Sequence, residues 1–215
     1  HGRTWKLRLP WGWNTGEFGP IEHPRNQHPD AAELHNAEVE PIARKYLELR
    51  YRLLPYNYTL AREACDTGLP LMRALWLHYP LDGEAAQLGT EYLWGRDLLV
   101  APVVEKGAAT RRLYLPAGTW YDWWTGEKVE GARWLERPVD LATLPLYVRA
   151  GAIIPLDPVR QYTAQAVTEP TTLRVHPGAN GTFTLYDYDG QSLGYRDGSY
   201  PKTIWIRFRW DDAAH

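Results

Sequence analysis

The stretch Pro70–Val104, PLMRALWLHYPLDGEAAQLGTEYLWGRDLLVAPVV, constrains the fold most, because its hydrophobic pattern changes type part-way through. The apolar run Leu69–Tyr79 lies between Gly68 and Pro80 and has the length of a buried strand flanked by breakers. Ala85, Leu88, Tyr92 and Leu93 then recur at helical spacing, and Gly95 stands where a C-terminal cap belongs, which predicts a helix. Leu98–Val104 reads as a second strand whose Pro102 suits an edge or a bulge. After it no helical period returns. The chain is therefore expected to pass from mixed α/β to nearly all-β at about residue 97.

Upstream, a helix is predicted from about Glu38 to Gly68, with Asn36 as its N-cap. Val39, Ile42, Ala43, Tyr46, Leu49 and Leu53 share one face, while Glu40, Arg44, Lys45, Glu48 and Arg52 fill the other. Pro55 removes a backbone donor deep inside this pattern and should divide the helix after Leu54. Arg50 and Arg52 read as a solvated face. A helix, a buried strand and a helix are the repeat of parallel α/β folds, but one and a half repeats cannot close a sheet. The N-terminal part is thus expected to be an α/β domain entered near its end.

Residues 1–35 intersperse Gly12, Gly16, Gly19 and four prolines with Trp5, Trp11 and Trp13, which predicts a long ordered loop. His23 and His28 stand five residues apart, each followed by Pro, on no defined helix, and read as loop residues rather than metal ligands. Beyond Val104 short strands alternate with Gly/Pro turns: Arg111–Leu115, Thr119–Trp124, Trp134–Val139, Leu146–Arg149 and Ala152–Leu156. Leu173–His176, Thr182–Tyr186 and Ile204–Trp210 form a second β block after a connector at 157–170, and the strand spacing indicates a β-sandwich or barrel.

Composition excludes several classes. Lys and Arg number 24 against 26 Asp and Glu, with no basic run threaded by aromatics, so the footprint of a nucleic-acid binder is missing. No apolar run approaches the roughly 20 residues of a spanning helix, and no membrane partner is expected. The chain opens His1-Gly2-Arg3 without an initiator Met, so any targeting signal, extracellular or periplasmic, would lie outside it. The one cysteine, Cys65, forms no internal disulfide and reads as core packing rather than a nucleophile. The 11 Trp and 14 Tyr beside 3 Phe admit two uses, as platforms for sugar C–H faces or as sandwich core.

Six phrases in order carry a family resemblance: RYRLLPYNYTL (50–60), PLMRALWLHYP (70–80), EYLWGRDLLVAPVV (91–104), LYLPAGTWYDWWTGE (113–127), LPLYVRAGAIIPL (144–156) and GTFTLYDYDGQSLGY (181–195). Together they resemble the C-terminal part of glycoside hydrolase family 31, the retaining α-glucosidases and α-xylosidases. The resemblance implies that residues 1–96 are the C-terminal end of a (β/α)8 TIM barrel. By the same resemblance 97–157 form a proximal C-terminal antiparallel β-sandwich, and 158–215 start a truncated distal β-domain. It implies an α-linked oligosaccharide or glycoside as substrate, the N-terminal remainder of the same enzyme as partner, and no cofactor or metal. His1 matches the His of an Arg-x-His barrel loop, and by that resemblance it would bind substrate by donating to a hydroxyl of the sugar.

Retention requires two carboxyl groups about 5 to 5.5 Å apart, a nucleophile and an acid/base. The resemblance places both Asp on earlier barrel strands, and neither maps onto this chain. Asp187 and Asp189 read as a hairpin turn, and Asp211 and Asp212 as solvated residues after a strand. Asp82, just past the last barrel-like strand, reads as the cap of a helix starting near Gly83. Trp76 and His78 occupy that strand's end, and His78 stands where many family members carry an acid. Trp120, Trp123, Trp124 and Trp134 read as packing before sugar platform. The expected activity is hydrolysis of terminal α-glucosyl or α-xylosyl residues by a longer enzyme, the isolated chain being inactive. The alternative is a non-catalytic carbohydrate-binding or structural β-sandwich module.

Overall fold

The computed structural model describes residues 38–188, 193–194 and 204–214. His1, His23, His28, Asn36 and the aromatic-rich loop lie outside the described residues, as does Asp189. The chain divides into two compact units, His1–Arg52 with Pro158–Thr168 and Leu53–Asp157 with Glu169–His215.

In the first unit, helix α1 (Val39–Arg52) buries Tyr46 and Leu49 on one stripe, with Glu40 in its first turn and Arg50 and Arg52 in its last, signs that suit the helix dipole. Arg44 and Glu40 pair at 2.8 Å one turn apart, both well exposed, so the pair adds little stability. The Tyr51 hydroxyl donates to the Gln161 carbonyl across the unit at 3.5 Å.

The second unit opens with α2 (Leu54–Thr67), which has Pro55 in its first turn. The helical pattern therefore divides at Leu53, where Pro55 no longer costs an intrahelical bond. Gly68, at φ 78°, ends α2 in the left-handed conformation. Then come β1 (Met72–Arg73), a 3-10 turn (Leu75–Leu77) and α3 (Gly83–Gln87). The remaining strands are β2 (Tyr92–Trp94), β3 (Leu98–Val100), β4 (Thr110–Leu115), β5 (Thr119–Asp122), β6 (Lys128–Glu130) and β7 (Arg133–Pro138). They continue with β8 (Leu146–Arg149), β9 (Ile153–Leu156), β10 (Thr172–Val175), β11 (Gly181–Asp187) and β12 (Ile204–Trp210).

Among the described residues all strand pairs are antiparallel. A six-stranded sheet runs β1-β2-β3-β8-β5-β6, and β4 pairs with β7, β9 with β10, and β11 with β12. Leu93 and Leu99 from this sheet, Leu113 and Leu115 from β4, Trp120 from β5, and Leu75 and Ala85 from the preceding segment form one buried cluster. Each large side chain removed from water there contributes about 1.5–3 kcal/mol. Trp120 keeps its indole N–H satisfied at the Pro116 carbonyl, 2.8 Å away.

Four expectations require correction. The run Leu69–Tyr79 is extended only over Met72–Arg73 and then tightens into the 3-10 turn, leaving Met72 51% and Trp76 50% exposed. Among the described residues β1 has one neighbour, β2, so the run lacks the two-sided pairing that would extend it. The helix expected through Leu93 stops at Gln87, and Tyr92–Trp94 pair with β3. Ala85 and Leu93 reach the same cluster from a helix and from a strand, which imitates helical spacing. Gly95 is accordingly the tight turn between β2 and β3, at φ 66°, where a Cβ would lie 2.4 Å from the Tyr56 hydroxyl. Cys65 is exposed rather than packed, because it falls on the outer side of the last turn of α2. Pro102 follows β3 instead of sitting within it.

Candidate functional site

The segment between β1 and α3 gathers the polar groups that the apolar run concealed. Arg73 is only 1% exposed. Its Nη2 donates to Glu63 Oε2 on α2 at 2.6 Å, its Nε to the Pro70 carbonyl at 2.8 Å, and its Nη1 lies 3.2 Å from His78 Nε2. A buried guanidinium is tolerated only when paired and hydrogen-bonded in this way. His78 follows the 3-10 turn, its backbone N–H bonded to the Leu75 carbonyl. Burial first, and then the Arg73 charge, hold its imidazole below the ordinary histidine pKa.

Asp82 caps α3 as expected: Oδ1 accepts from the Glu84 and Ala85 N–H groups at 3.1 and 3.2 Å. Its Oδ2 accepts from the Tyr114 hydroxyl on β4 at 2.9 Å. Both oxygens are thus engaged in holding structure. The Tyr114 backbone N–H donates to Glu91 Oε1 at 3.0 Å, so one residue of β4 grips the chain on either side of α3. Glu91 is 3% exposed, and its other oxygen is buried without a hydrogen-bond partner. Burial pushes its carboxyl up to about 7, against smaller opposing pulls from the Tyr114 N–H and Arg111.

The remaining buried charges are committed to one another. Asp97 and Arg149 pair at 2.7 Å, and Asp122 and Arg137 at 2.9 Å. Asp122 also accepts from the Trp124 and Thr125 N–H groups, fixing the turn after β5. A cleft of about 300 Å³ opens between α2 and β11, with Glu63, Asp66, Arg96 and Thr182 among its walls. Among the described residues no group of three or more His, Cys, Asp or Glu is arranged to hold a metal ion. No described helix is long and apolar enough to cross a membrane.

The sequence-derived candidates separate as follows. Trp120 and Trp123 are buried, and Trp134 is tilted against Tyr114 with the Arg112 guanidinium 4.2 Å from its ring centroid, so these rings are packed. The Trp124 indole donates to the Leu144 carbonyl at 2.7 Å. Asp212 is not merely solvated: its Oδ1 accepts from the Gly178 N–H and the Trp210 indole. Asp187 ends β11 opposite Ile204, so residues 188–203 join β11 to β12, and the Asp189-Gly190 turn expected from the sequence lies outside the described residues. Arg73, Glu91, Asp97 and His176 escaped notice; a charge lodged in an apolar run, as Arg73 is, was the available signal.

Within this antiparallel β assembly the carboxylates of Asp82, Asp97 and Asp122 are each held by structural partners. Residues 68–154 match the family described as glycosyl hydrolase family 31 C-terminal domain, and the chain is related to the C-terminal part of glycoside hydrolase family 31. It is 39% identical over 176 residues to an alpha-xylosidase of Saccharolobus solfataricus, covering 81% of this chain and 24% of that protein. It is 39% identical over 165 residues to alpha-glucosidase 2 of Bacillus thermoamyloliquefaciens, covering 76% of this chain and 21% of that protein. Among solved structures it resembles a family 31 dextranase of Flavobacterium johnsoniae in complex with isomaltotriose, with TM-score 0.73 and 44% identity over 80% of this chain and 21% of that one. A family 31 alpha-xylosidase of Xanthomonas citri gives TM-score 0.76 and 37% identity over 80% of this chain and 19% of that one. The chain thus spans about a quarter or less of the length of the proteins it matches.

Proposed function

We propose that the chain is the C-terminal portion of a retaining α-glycosidase that hydrolyses terminal α-glucosyl or α-xylosyl residues. Residues 1–96 end the (β/α)8 barrel, 97–157 form the proximal β-sandwich and 158–215 begin the distal β-domain. The nucleophile and the acid/base belong to earlier barrel strands, and His1 donates to a sugar hydroxyl. The observation that carries this reading is the order of elements: α2 leads into β1, the edge strand of the six-stranded antiparallel sheet, and α3 follows before β2. Residue 97 lies in the turn between β2 and β3, which pair within the same antiparallel sheet. The burial of Trp120 and Trp123 supports packing over a sugar-binding platform.

The test is release of nitrophenol from 4-nitrophenyl α-glucoside and α-xyloside. The 215-residue chain alone is expected to release none, and the longer enzyme containing it to release it with retained anomeric configuration. Turnover by the isolated chain, or an inverted product from the longer enzyme, would refute the proposal.

A further inference from the structure

The cleft of about 300 Å³ between α2 and β11 has its shape fixed by contacts outside the strand ladders. Arg96, in the turn between β2 and β3, donates from Nη2 to the Thr182 carbonyl, and the Tyr186 N–H donates to Thr59 Oγ1 on α2 at 3.1 Å. These two bonds pin β11 near either end of the strand. Between them the Tyr56 and Phe183 rings stack, 5.7 Å between centroids, and with Leu60 they form a buried apolar floor. Four polar groups of the lining have no hydrogen-bond partner among the described residues: Glu63 Oε1, Arg96 Nη1 and the hydroxyls of Thr182 and Thr184.

That set discriminates among ligands. Glu63 Oε1 only accepts, Arg96 Nη1 only donates, and the two hydroxyls do both. A phosphate or sulfate offers acceptors alone and would set its charge against the Glu63 oxygen, and a bare cation would meet the Arg96 guanidinium in the same way. A wholly apolar ligand would bury four unmet polar groups. A sugar ring matches, because each of its hydroxyls both donates and accepts while its C–H face suits an apolar floor. The volume stands at the low end of the roughly 300–1,000 Å³ of small-molecule pockets, which suits a short saccharide.

We propose that the cleft between α2 and β11 is a binding site for a short neutral saccharide, with Glu63 and Arg96 bonded to adjacent sugar hydroxyls and Thr182 and Thr184 completing the set. The saccharide class follows from the lining, whereas an α-linked glucosyl chain as its occupant rests on the proposed function.

The test is a titration of the uniformly labelled 215-residue chain with isomaltotriose, followed in ¹H–¹⁵N correlation spectra. Saturable shifts are expected at the amides of Glu63, Arg96 and Thr182–Thr184. Replacing both hydroxyls, Thr182→Val with Thr184→Val, should weaken binding about tenfold or more, the loss of roughly two hydrogen bonds. Its thermal melt should match that of the unmodified chain, since neither hydroxyl has an internal partner to lose. Thr182→Ser with Thr184→Ser keeps both hydroxyls and should bind within about threefold of the unmodified chain. Absence of saturable shifts, shifts centred on other residues, or equal affinity for the valine pair would overturn the site. The same shifts with inorganic phosphate or calcium alone would overturn the saccharide class, and saturation by cellotriose but not isomaltotriose would overturn the α-linked occupant. The titration needs no turnover, so absence of glycosidase activity in the longer enzyme would refute the proposed function while the spectra still decide the site.

Discussion

Glu91 makes the stability of this domain depend on pH in a calculable way. Its carboxyl is buried, holds one backbone N–H at Oε1, and has no hydrogen-bond partner at Oε2. Folding raises its pKa from 4.5 to about 7. A group whose pKa is raised on folding contributes its stability below the unfolded value and loses it as pH rises through the folded one. At about 1.4 kcal/mol per pH unit the loss amounts to about 3 kcal/mol between pH 4.5 and pH 8. Glu91→Gln removes the titration while leaving an acceptor for the Tyr114 N–H. Any packing cost of the amide is the same at both pH values and cancels in the difference. Urea denaturation followed by Trp fluorescence should therefore show the variant gaining about 3 kcal/mol on the unmodified chain between pH 4.5 and pH 8. A difference between the two proteins that stays constant with pH, within the extrapolation error of about 10–15%, would refute the assignment of a buried, protonated Glu91.

Three further outcomes follow from named contacts. His176 is buried with both ring nitrogens lacking hydrogen-bond partners, and burial pushes it down to about 4 from 6.5; its stability is present above 6.5 and lost as pH falls toward 4, so His176→Phe should gain stability on the unmodified chain as pH falls through that window, and a difference between the two that stays constant with pH would contradict this. Gly95→Ala meets a φ of 66° together with contacts of 2.4 Å to the Tyr56 hydroxyl and 2.9 Å to Leu60; a loss of about 2 kcal/mol or more in a thermal melt is expected, and a neutral substitution would mean the turn is wrongly placed. Trp120→Ala empties a fully buried site and breaks the bond to Pro116, so a cost of about 3–5 kcal/mol is expected in urea, against which a loss under 1 kcal/mol would count.

The β part of the fold was largely legible because its strands are bounded by turn chemistry that needs no tertiary knowledge. Leu146–Arg149 and Ile204–Trp210 fall where the sequence places them and the other strands expected beyond Val104 within a residue or two, whereas the run Leu98–Val104 is a strand only to Val100. β6 was missed: Lys128–Glu130 is three residues long and carries charge at both ends, so no alternation betrays it. The segment before residue 97 was harder, because apolar spacing reports the core a residue reaches and not the element that takes it there. Ala85 and Leu93 illustrate this, and so does Arg73, whose burial depends on Glu63 ten residues earlier and His78 five residues later. Cys65 was misjudged from residue type, although its position in the last turn of α2 is exposed.

The two opposed titrations act together on the stability of the domain. Glu91 lowers stability as pH rises from 4.5 to about 7, while His176 raises it as pH rises from about 4 to 6.5. Over the shared window the slopes have similar size and opposite sign, so the unmodified domain should show a nearly flat stability profile in weak acid. The two groups sit on different strands, Glu91 before β2 and His176 after β10, so each variant alone should restore a slope and the double variant should cancel it again. Glu91 answers to the β4 contact that fixes Asp82 and α3, whereas His176 answers to the junction of β9 with β10, where its backbone bonds to Gly151 and Ala152. A flat profile would then reflect compensation between two buried sites rather than an absence of titrating groups, and the cycle of single and double variants separates those two origins.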